Sequence, residues 1–208
     1  MSGSSGGNGP VRHHPGEATL AGYVAGRLGK LPGVVVATHL SHCAECRAVA
    51  RAAEAVGGLL LEEVSATPLA PGSRDRTLAR LDDGPQAVED PPTLDGLAAK
   101  EFRWLAPGIR FAELRRSEDE LLGLLRLRPG VAVALHTHRG SELTCVLEGA
   151  YRDGASVYRR GDFEEVDQLV RHRPVAEGPG DCLCLVATRG RVRFATVLSR
   201  LWQPFQPF

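Results

Sequence analysis

The segment from Gly130 to Gly149 constrains the fold more than any other part of the chain. It is a mostly apolar run that contains His136 and His138, with Glu142 four residues further on. Alternate side chains of a β-strand point to the same face, so this spacing predicts two imidazoles on one side of a sheet. Imidazole and carboxylate groups are costly to bury without a common partner, and together they make a metal site. The sequence therefore predicts a metal site on a β-sheet.

The pattern resembles the first sequence motif of the cupins: Gly, five residues, His-x-His, three residues, Glu, six residues and Gly. The second cupin motif supplies one more histidine after a Gly-Asp pair. Here Gly161-Asp162 is followed by His172, the only other histidine in this half of the chain. The metal ligands that this resemblance implies are His136, His138, Glu142 and His172.

The hydrophobic pattern changes period near residue 100. Before that point apolar residues recur at helical spacing, which predicts helices at 16–29, 33–41, 44–62 and 74–82. After it come short strand-like runs with turn signals between them, at 102–105, 109–114, 120–126, 131–138, 143–147, 155–159, 181–187 and 192–198. We predict an α+β, multidomain chain, in which a small four-helix N-terminal domain precedes an all-β, jelly-roll-like cupin barrel.

The predicted boundaries follow the composition of the connecting segments. The first ten residues are rich in Gly and Ser, and residues 83–96 are acidic and punctuated by Pro and Gly. We assign a disordered tail to 1–10, the helical domain to 11–82, a linker to 83–100 and the cupin domain to 101–208.

A second candidate metal site lies in the helical region, where the chain reads His39-x₃-Cys43-x₂-Cys46. Cys-x₂-Cys lets two thiolates bind one tetrahedral ion from a turn, and His39 lies one helical turn before Cys43. A closed site needs a fourth ligand, and His13 and His14 at the start of the first helix are both candidates. Zinc there would clip the helices of a small domain together. A redox pair and plain core packing are the alternatives.

Charge and hydropathy argue against several classes of protein. The chain has 25 basic and 25 acidic residues, so it lacks the basic surface typical of proteins that bind nucleic acid. No uncharged apolar run approaches the length of about 18 residues that a membrane span needs, and the N-terminus does not resemble a secretory signal. The five cysteines fall in separate groups and do not suggest a disulfide framework. We expect a cytoplasmic protein with reduced thiols and no direct contact with nucleic acid or membrane.

His-x₃-Cys-x₂-Cys in a short helical domain is the signature of the zinc-binding anti-sigma factors. With a cupin attached, the chain resembles the ChrR-type members of that family, through Arg-His-His-Pro at 12–15, the segment 37–47 and the whole cupin. The resemblance implies that His14 rather than His13 binds zinc with His39, Cys43 and Cys46, and that the cupin site also holds zinc. It implies a group IV (ECF) sigma factor as partner, released when the cupin meets a signal such as singlet oxygen or an organic hydroperoxide.

Several alternatives remain open at this level. Cys182 and Cys184 alternate on a predicted strand and are either a peroxide-reactive pair or small buried apolar residues. The cupin ligand set also suits Fe²⁺, Mn²⁺ or Ni²⁺. A rival hypothesis is a cupin metalloenzyme, of dioxygenase or isomerase type, whose N-terminal zinc domain mediates assembly, although we expect no enzyme activity and assign no catalytic residue. Isolated cupins often dimerise, so a homodimer through the cupin is a further hypothesis.

Overall fold

The computed structural model describes residues 10–81 and 101–190, together with the backbone of 192–194. The predicted linker, nearly all of the predicted tail and the end of the last predicted strand lie outside these residues, so the domain boundaries stay predictions. Within the described ranges, no helix has the length and apolar character needed to cross a membrane.

Four helices form the N-terminal region: α1 (Glu17–Val24), α2 (Lys30–His42), α3 (Ala44–Glu62) and α4 (Ser73–Ala79). Helix α3 has the predicted bounds and runs through Gly57-Gly58. Helix α1 ends before residue 29 because Gly26 adopts a left-handed conformation, with φ of 65°, which terminates helices. Helix α2 begins earlier than predicted because Pro32 lies in its first turn, where the missing N–H is not needed.

The remainder of the described chain is β-structure, as expected for a cupin. Its strands are β1 (Arg103–Ala106), β2 (Ile109–Arg116), β3 (Glu120–Leu127), β4 (His136–His138), β5 (Glu142–Glu148), β6 (Ala150–Asp153), β7 (Ser156–Arg159), β8 (Phe163–Val166), β9 (Val175–Glu177), β10 (Cys182–Arg189) and β11 (Val192–Phe194). The sequence pattern does not predict β6, β8 or β9, and only the last part of the run 131–138 is a strand.

The strands form three antiparallel sheets. The largest has the order β1-β2-β3-β10-β5-β8, and smaller sheets have the orders β7-β6-β9 and β11-β4. The six-stranded and three-stranded sheets enclose one apolar core, in which Val146 and Val186 of the large sheet pack with Tyr151 and Ala176 of the small one. This core is the interior of the cupin domain.

The six-stranded sheet is buried on its other face as well, because the helices cover it. Leu143, Cys145 and Leu185 point away from the cupin interior and join a second apolar core with residues of α1, α2 and α3. Helix α2 supplies the centre of this core through three consecutive valines that are at most 1% exposed, Val34, Val35 and Val36. Each buried valine contributes about 1.5–3 kcal/mol. The small helical region therefore completes its core with the sheet.

Candidate metal centres

The first cluster of metal-ligating side chains forms where α2 ends and α3 begins. Cys43 is extended, with φ of −112°, and it caps α3 by accepting a hydrogen bond from the backbone N–H of Cys46 to its Sγ at 3.4 Å. This corner turns both thiols toward one point, and both are buried. Burial, together with the neighbouring Cys43 thiol, raises the pKa of Cys46. A bound cation would reverse this effect, because coordinating thiols lose their proton.

His14 approaches the two thiols from the segment that precedes α1. Its Nδ1 lies 3.4 Å from Sγ of Cys43 and 3.3 Å from Sγ of Cys46. The adjacent His13 is directed elsewhere, because its ring packs on Tyr158 with centroids 4.4 Å apart. One ligand atom from each of His14, His39, Cys43 and Cys46 lies within 4.8 Å of the others. The fold therefore brings His14, and not His13, to the two thiols.

His39 completes the cluster from α2 and is fully buried. Its Nδ1 lies 2.8 Å from the carbonyl oxygen of Gly161, to which an Nδ1–H donates. Its Nε2 is buried and has no hydrogen-bond partner among the described residues. Burial lowers the pKa of His39, so the ring is neutral at pH 7. A neutral imidazole with an unpartnered Nε2 beside two thiols is the donor that a tetrahedral zinc ion takes.

The second cluster lies inside the cupin domain and contains the four residues of the cupin motifs. His136 and His138 belong to β4, Glu142 begins β5, and His172 is joined to His136 by two backbone hydrogen bonds. Nε2 of His172 lies 2.9 Å from Nε2 of His136 and 3.2 Å from Nε2 of His138, while Nε2 of His138 is 3.6 Å from Oε2 of Glu142. The ligand atoms of these four residues lie within 4.8 Å of one another.

Hydrogen bonds at the outer nitrogens set the orientation of two of these rings. Nδ1 of His136 is 2.8 Å from the carbonyl oxygen of Ala134, and Nδ1 of His172 is 2.9 Å from Oδ2 of Asp153. Both Nδ1 atoms therefore carry the proton and donate it, which leaves the Nε2 lone pairs pointing at a common centre. Lone pairs at such short separations repel one another unless a proton or a cation lies between them.

In this cluster burial opposes the charge on His172, but the hydrogen bond to Asp153 and the nearby carboxylates together outweigh burial and raise the pKa of His172. For the other two histidines, burial shifts the pKa in the direction that metal binding requires. It lowers the pKa of His136 to about 4 and that of His138 to about 3, so both rings are neutral near pH 7. Burial also raises the pKa of Glu142 to about 7. A carboxylate there lacks enough compensation from the protein alone, and a divalent cation would provide it.

A shell of polar groups lies behind the cupin cluster, and the sequence pattern does not predict it. Asp153 accepts a hydrogen bond from His172 and another from the backbone N–H of Arg173 at 3.2 Å. Glu164 accepts a hydrogen bond from the Tyr151 hydroxyl at 2.7 Å. Asp153 precedes Gly154 in a tight turn, and nothing local distinguishes it from an ordinary turn residue. Its role becomes visible only when the fold brings it to His172.

Cys182 and Cys184 face the cupin interior from β10, and Cys145 faces the helices from β5. The sulfur atoms of Cys182 and Cys184 are 3.6 Å apart, and both residues are buried. Their mutual hydrogen bond and burial raise the pKa of Cys184 well above its usual value. Protonated, buried thiols react slowly with oxidants, so in this conformation the pair behaves as core packing.

Comparisons with known proteins agree with this arrangement. The sequence profile of a family described as the ChrR cupin-like domain matches residues 95–191. The anti-sigma-E factor ChrR of Cereibacter sphaeroides is 43% identical, over 94% of this chain and 98% of that protein. A crystal structure of Rhodobacter sphaeroides SigE in complex with the anti-sigma ChrR aligns with a TM-score of 0.72 and 42% identity, over 86% of this chain and 99% of that one. This chain belongs to the ChrR family of anti-sigma factors.

Proposed function

We propose that the protein is an anti-sigma factor whose helical region sequesters a group IV (ECF) sigma factor and whose cupin domain controls its release. Family membership supports the proposal, because a relative with 42% identity was crystallised in complex with SigE. The sigma factor binds RNA polymerase, so the protein would act in the cytoplasm. An oxidative signal, such as singlet oxygen or an organic hydroperoxide, is the trigger we propose.

The observation that carries the proposal is a long apolar surface for which the described chain offers no cover. Every residue from Glu54 to Gly72 is exposed, including the second half of α3. Leu59, Leu60 and Leu61 are 63%, 65% and 72% exposed, so apolar side chains extend in several directions around the helix. Monomeric proteins rarely present contiguous apolar surfaces of this kind outside binding sites. The sigma factor is the occupant we propose for this surface.

Co-purification of the full chain with each group IV sigma factor of the source genome tests the proposal. We expect a one-to-one complex with one of them, which prevents transcription by the matching RNA polymerase holoenzyme and is lost in a strong zinc chelator. A folded, metal-loaded chain that binds none of these sigma factors would contradict the proposal and favour the cupin metalloenzyme. Mass measurement of the free protein separates a monomer from the proposed cupin homodimer.

A substitution in the apolar surface should weaken this complex. Leu60→Asp places a charge where we expect a buried apolar contact, so binding of the sigma factor should fall at least about 30-fold, equivalent to about 2 kcal/mol. Leu169→Asp is the matched control, because Leu169 is 83% exposed on a cupin loop. Titration calorimetry gives both affinities. Equal binding by Leu60→Asp and the unsubstituted chain would exclude this end of α3 from the interface.

We propose zinc as the metal of both clusters. In the N-terminal cluster, the two thiols and the unpartnered Nε2 of His39 support zinc, which prefers mixed sulfur and nitrogen ligands. In the cupin cluster, three imidazoles and one carboxylate support zinc without excluding Fe²⁺, Mn²⁺ or Ni²⁺. Zinc has no redox chemistry, so an oxidant would act on the ligands or on side chains beside them. Cys182 and Cys184 are the candidates for the latter if the cupin opens and exposes them.

Zinc binding at the cupin cluster should weaken in acid. Burial raises the pKa of Glu142 to about 7, so below this pH the metal must displace a proton from the carboxyl group. His136 and His138 are already neutral above pH 5 and add no proton. Burial is outweighed at His172 by the hydrogen bond to Asp153 and the nearby carboxylates, which raise the pKa of His172, so this ring adds a second proton to the displacement. We expect the affinity to fall at least about tenfold per pH unit from pH 7 to pH 5.

Chelator competition at each pH measures this affinity. The zinc bound by the His136→Ala variant is subtracted from the zinc bound by the unsubstituted chain, and the difference reports on the cupin cluster. Glu142→Gln serves as the comparison, because an amide does not titrate and the pH dependence should become shallower by one proton. An affinity that is constant between pH 5 and pH 7 would remove Glu142 from the ligand set.

A further inference from the structure

A turn of the cupin domain lies directly against the N-terminal metal cluster. The turn spans residues 159–163 and connects β7 to β8. Its Gly161 carbonyl oxygen accepts the hydrogen bond from Nδ1 of His39 at 2.8 Å, and the ring of Phe163 makes an edge contact with the ring of His39, with centroids 5.5 Å apart. The group that orients one ligand of the N-terminal cluster therefore comes from the cupin.

The same turn holds the segment that carries a second ligand. Oδ1 of Asp162 accepts hydrogen bonds from the backbone N–H groups of Arg12 at 2.7 Å and His13 at 3.1 Å. The backbone N–H of Phe163 donates to the carbonyl oxygen of His13 at 3.0 Å. Three hydrogen bonds thus fix the two residues that immediately precede His14. Asp162 is 2% exposed, so water does not compete for these bonds.

Asp162 also stabilises the turn itself. Its Oδ2 accepts a hydrogen bond from the backbone N–H of Arg159 at 2.8 Å, which closes the turn. Packing around the turn is tight. A Cβ atom on Gly161 would lie 2.9 Å from Cβ of His42 and 2.9 Å from a methyl carbon of Val11, and φ of Gly161 is 87°. One side of the turn therefore fits the helical region closely while the other side belongs to the barrel.

Strand β8 continues from this turn toward the cupin cluster. Its residues alternate: Phe163 contacts His39, while Glu164 points into the cupin interior, in a group with Asp153 and the cupin ligand His172. Strand β8 also pairs with β5, where Val166 lies opposite the ligand Glu142. A single four-residue strand thus contacts the surroundings of both clusters.

We propose that Gly161 and Asp162 are positioning residues of the N-terminal metal site, so that the docked cupin turn slows the loss of its metal. The inference rests on the proposed function of the N-terminal cluster as a zinc site, and it names how the cupin regulates that site. A displacement of β8 and the turn before it removes the hydrogen-bond partner of His39 and the partners of the two residues that precede His14. The metal then dissociates faster, and α3 loses its anchor.

The test uses the full chain with Co²⁺ as the probe. Thiolate ligands give cobalt a charge-transfer absorption, which reports only on the N-terminal cluster because the cupin ligand set contains no thiol. Asp162→Ala removes the acceptor for Arg12 and His13. We expect removal of Co²⁺ by excess EDTA to become at least about tenfold faster, as for other groups that orient metal ligands. Asp162→Asn keeps one acceptor oxygen and should show a smaller increase.

Thr19→Val is the matched control. The Thr19 hydroxyl donates to the Glu165 carboxylate at 2.8 Å, so this nearly isosteric change also breaks a hydrogen bond between helices and cupin. Thr19 belongs to neither cluster, and cobalt release should stay within about twofold of the unsubstituted chain. Thermal unfolding monitored by circular dichroism verifies that each variant is folded, and Asp162→Asn serves if Asp162→Ala is not.

The outcomes distinguish a failure of this inference from a failure of the proposed N-terminal metal site. Unchanged cobalt release in a folded Asp162 variant would overturn the inference and leave the N-terminal metal site in place. Equal acceleration by Thr19→Val would also overturn it, since general loosening of the interface would then explain the effect. A chain that never develops the thiolate absorption would contradict the N-terminal metal site itself.

Discussion

Sigma-factor binding should be lost when Cys43 is replaced by alanine. Helix α3 has 19 residues, yet only Cys46 and Ala50 are buried, so we expect the proposed metal site at its first turn to be important for its attachment to the rest of the protein. Replacing Cys43 removes a proposed metal ligand. We expect the metal affinity to fall by more than the roughly 10–100-fold that is typical when a residue hydrogen-bonded to a ligand is replaced. Without the metal, α3 no longer presents its apolar surface in a fixed orientation. We expect the affinity for the sigma factor to fall at least about 100-fold.

Calorimetric titration with the sigma factor and zinc content by mass spectrometry measure the two parts of this prediction together. Cys145→Ala is the matched control, because Cys145 is equally buried but faces the apolar core between sheet and helices. It should keep both the zinc and the sigma factor. A Cys43→Ala variant that has lost its N-terminal zinc and still binds the sigma factor normally would show that the cluster does not hold α3 in place.

Replacing His136 with alanine should leave sigma-factor binding intact and prevent release. The cupin cluster lies on the face of the six-stranded sheet opposite the helices, so its disruption leaves the apolar surface of α3 unchanged. His136 is one of the four ligands that we propose for the cupin metal, and its Nε2 is 2.9 Å from that of His172. Without the metal at this position, the event that we propose as the trigger does not occur. We expect affinity within about twofold of the unsubstituted chain and no measurable release by oxidant.

Release is followed by the fluorescence of a labelled sigma factor after exposure to an organic hydroperoxide or to singlet oxygen from a photosensitiser. Thr137→Ala controls for the position, because Thr137 lies between the two histidines of β4 and its hydroxyl donates outward to the carbonyl of Gln168 at 3.1 Å. This variant should release the sigma factor normally. If His136→Ala instead lost sigma-factor binding, the proposal that the helical region binds the sigma factor and the cupin cluster controls only its release would be wrong.

Local sequence patterns predict those parts of the fold that depend on local physics. Alternation predicts that His136 and His138 share a face, and the four-residue spacing of His39 and Cys43 predicts that they meet. The bounds of α3 follow from its alanine-rich composition and the turn before it. The strands β6, β8 and β9 are not predicted because they are short and contain charged residues. In β8, for example, Glu164 and Glu165 are adjacent and interrupt the alternation of apolar and polar residues that indicates a strand.

The docking of the helices on the sheet depends on contacts between distant segments. One sign of it is present in the sequence of β5, where Leu143 to Leu147 are apolar or uncharged at every position. A strand of this kind is buried on both faces, so something must cover the face opposite the cupin interior. Only the structure identifies α2 as that cover. Asp153 and Asp162 are likewise indistinguishable from ordinary turn residues until the fold brings their partners to them.

The short stretch of chain before α1 also protects an edge. Strand β8 is the last strand of the six-stranded sheet, so its outer backbone groups would be open to pairing with another molecule. One of these groups, the backbone N–H of Phe163, donates a hydrogen bond to the carbonyl oxygen of His13. The Asp162 carboxylate holds the same stretch by accepting a hydrogen bond from the backbone N–H of Arg12. We therefore expect a protein trimmed beyond residue 14 to lose more than the proposed metal ligand His14: it would expose an unpaired strand edge and become prone to self-association.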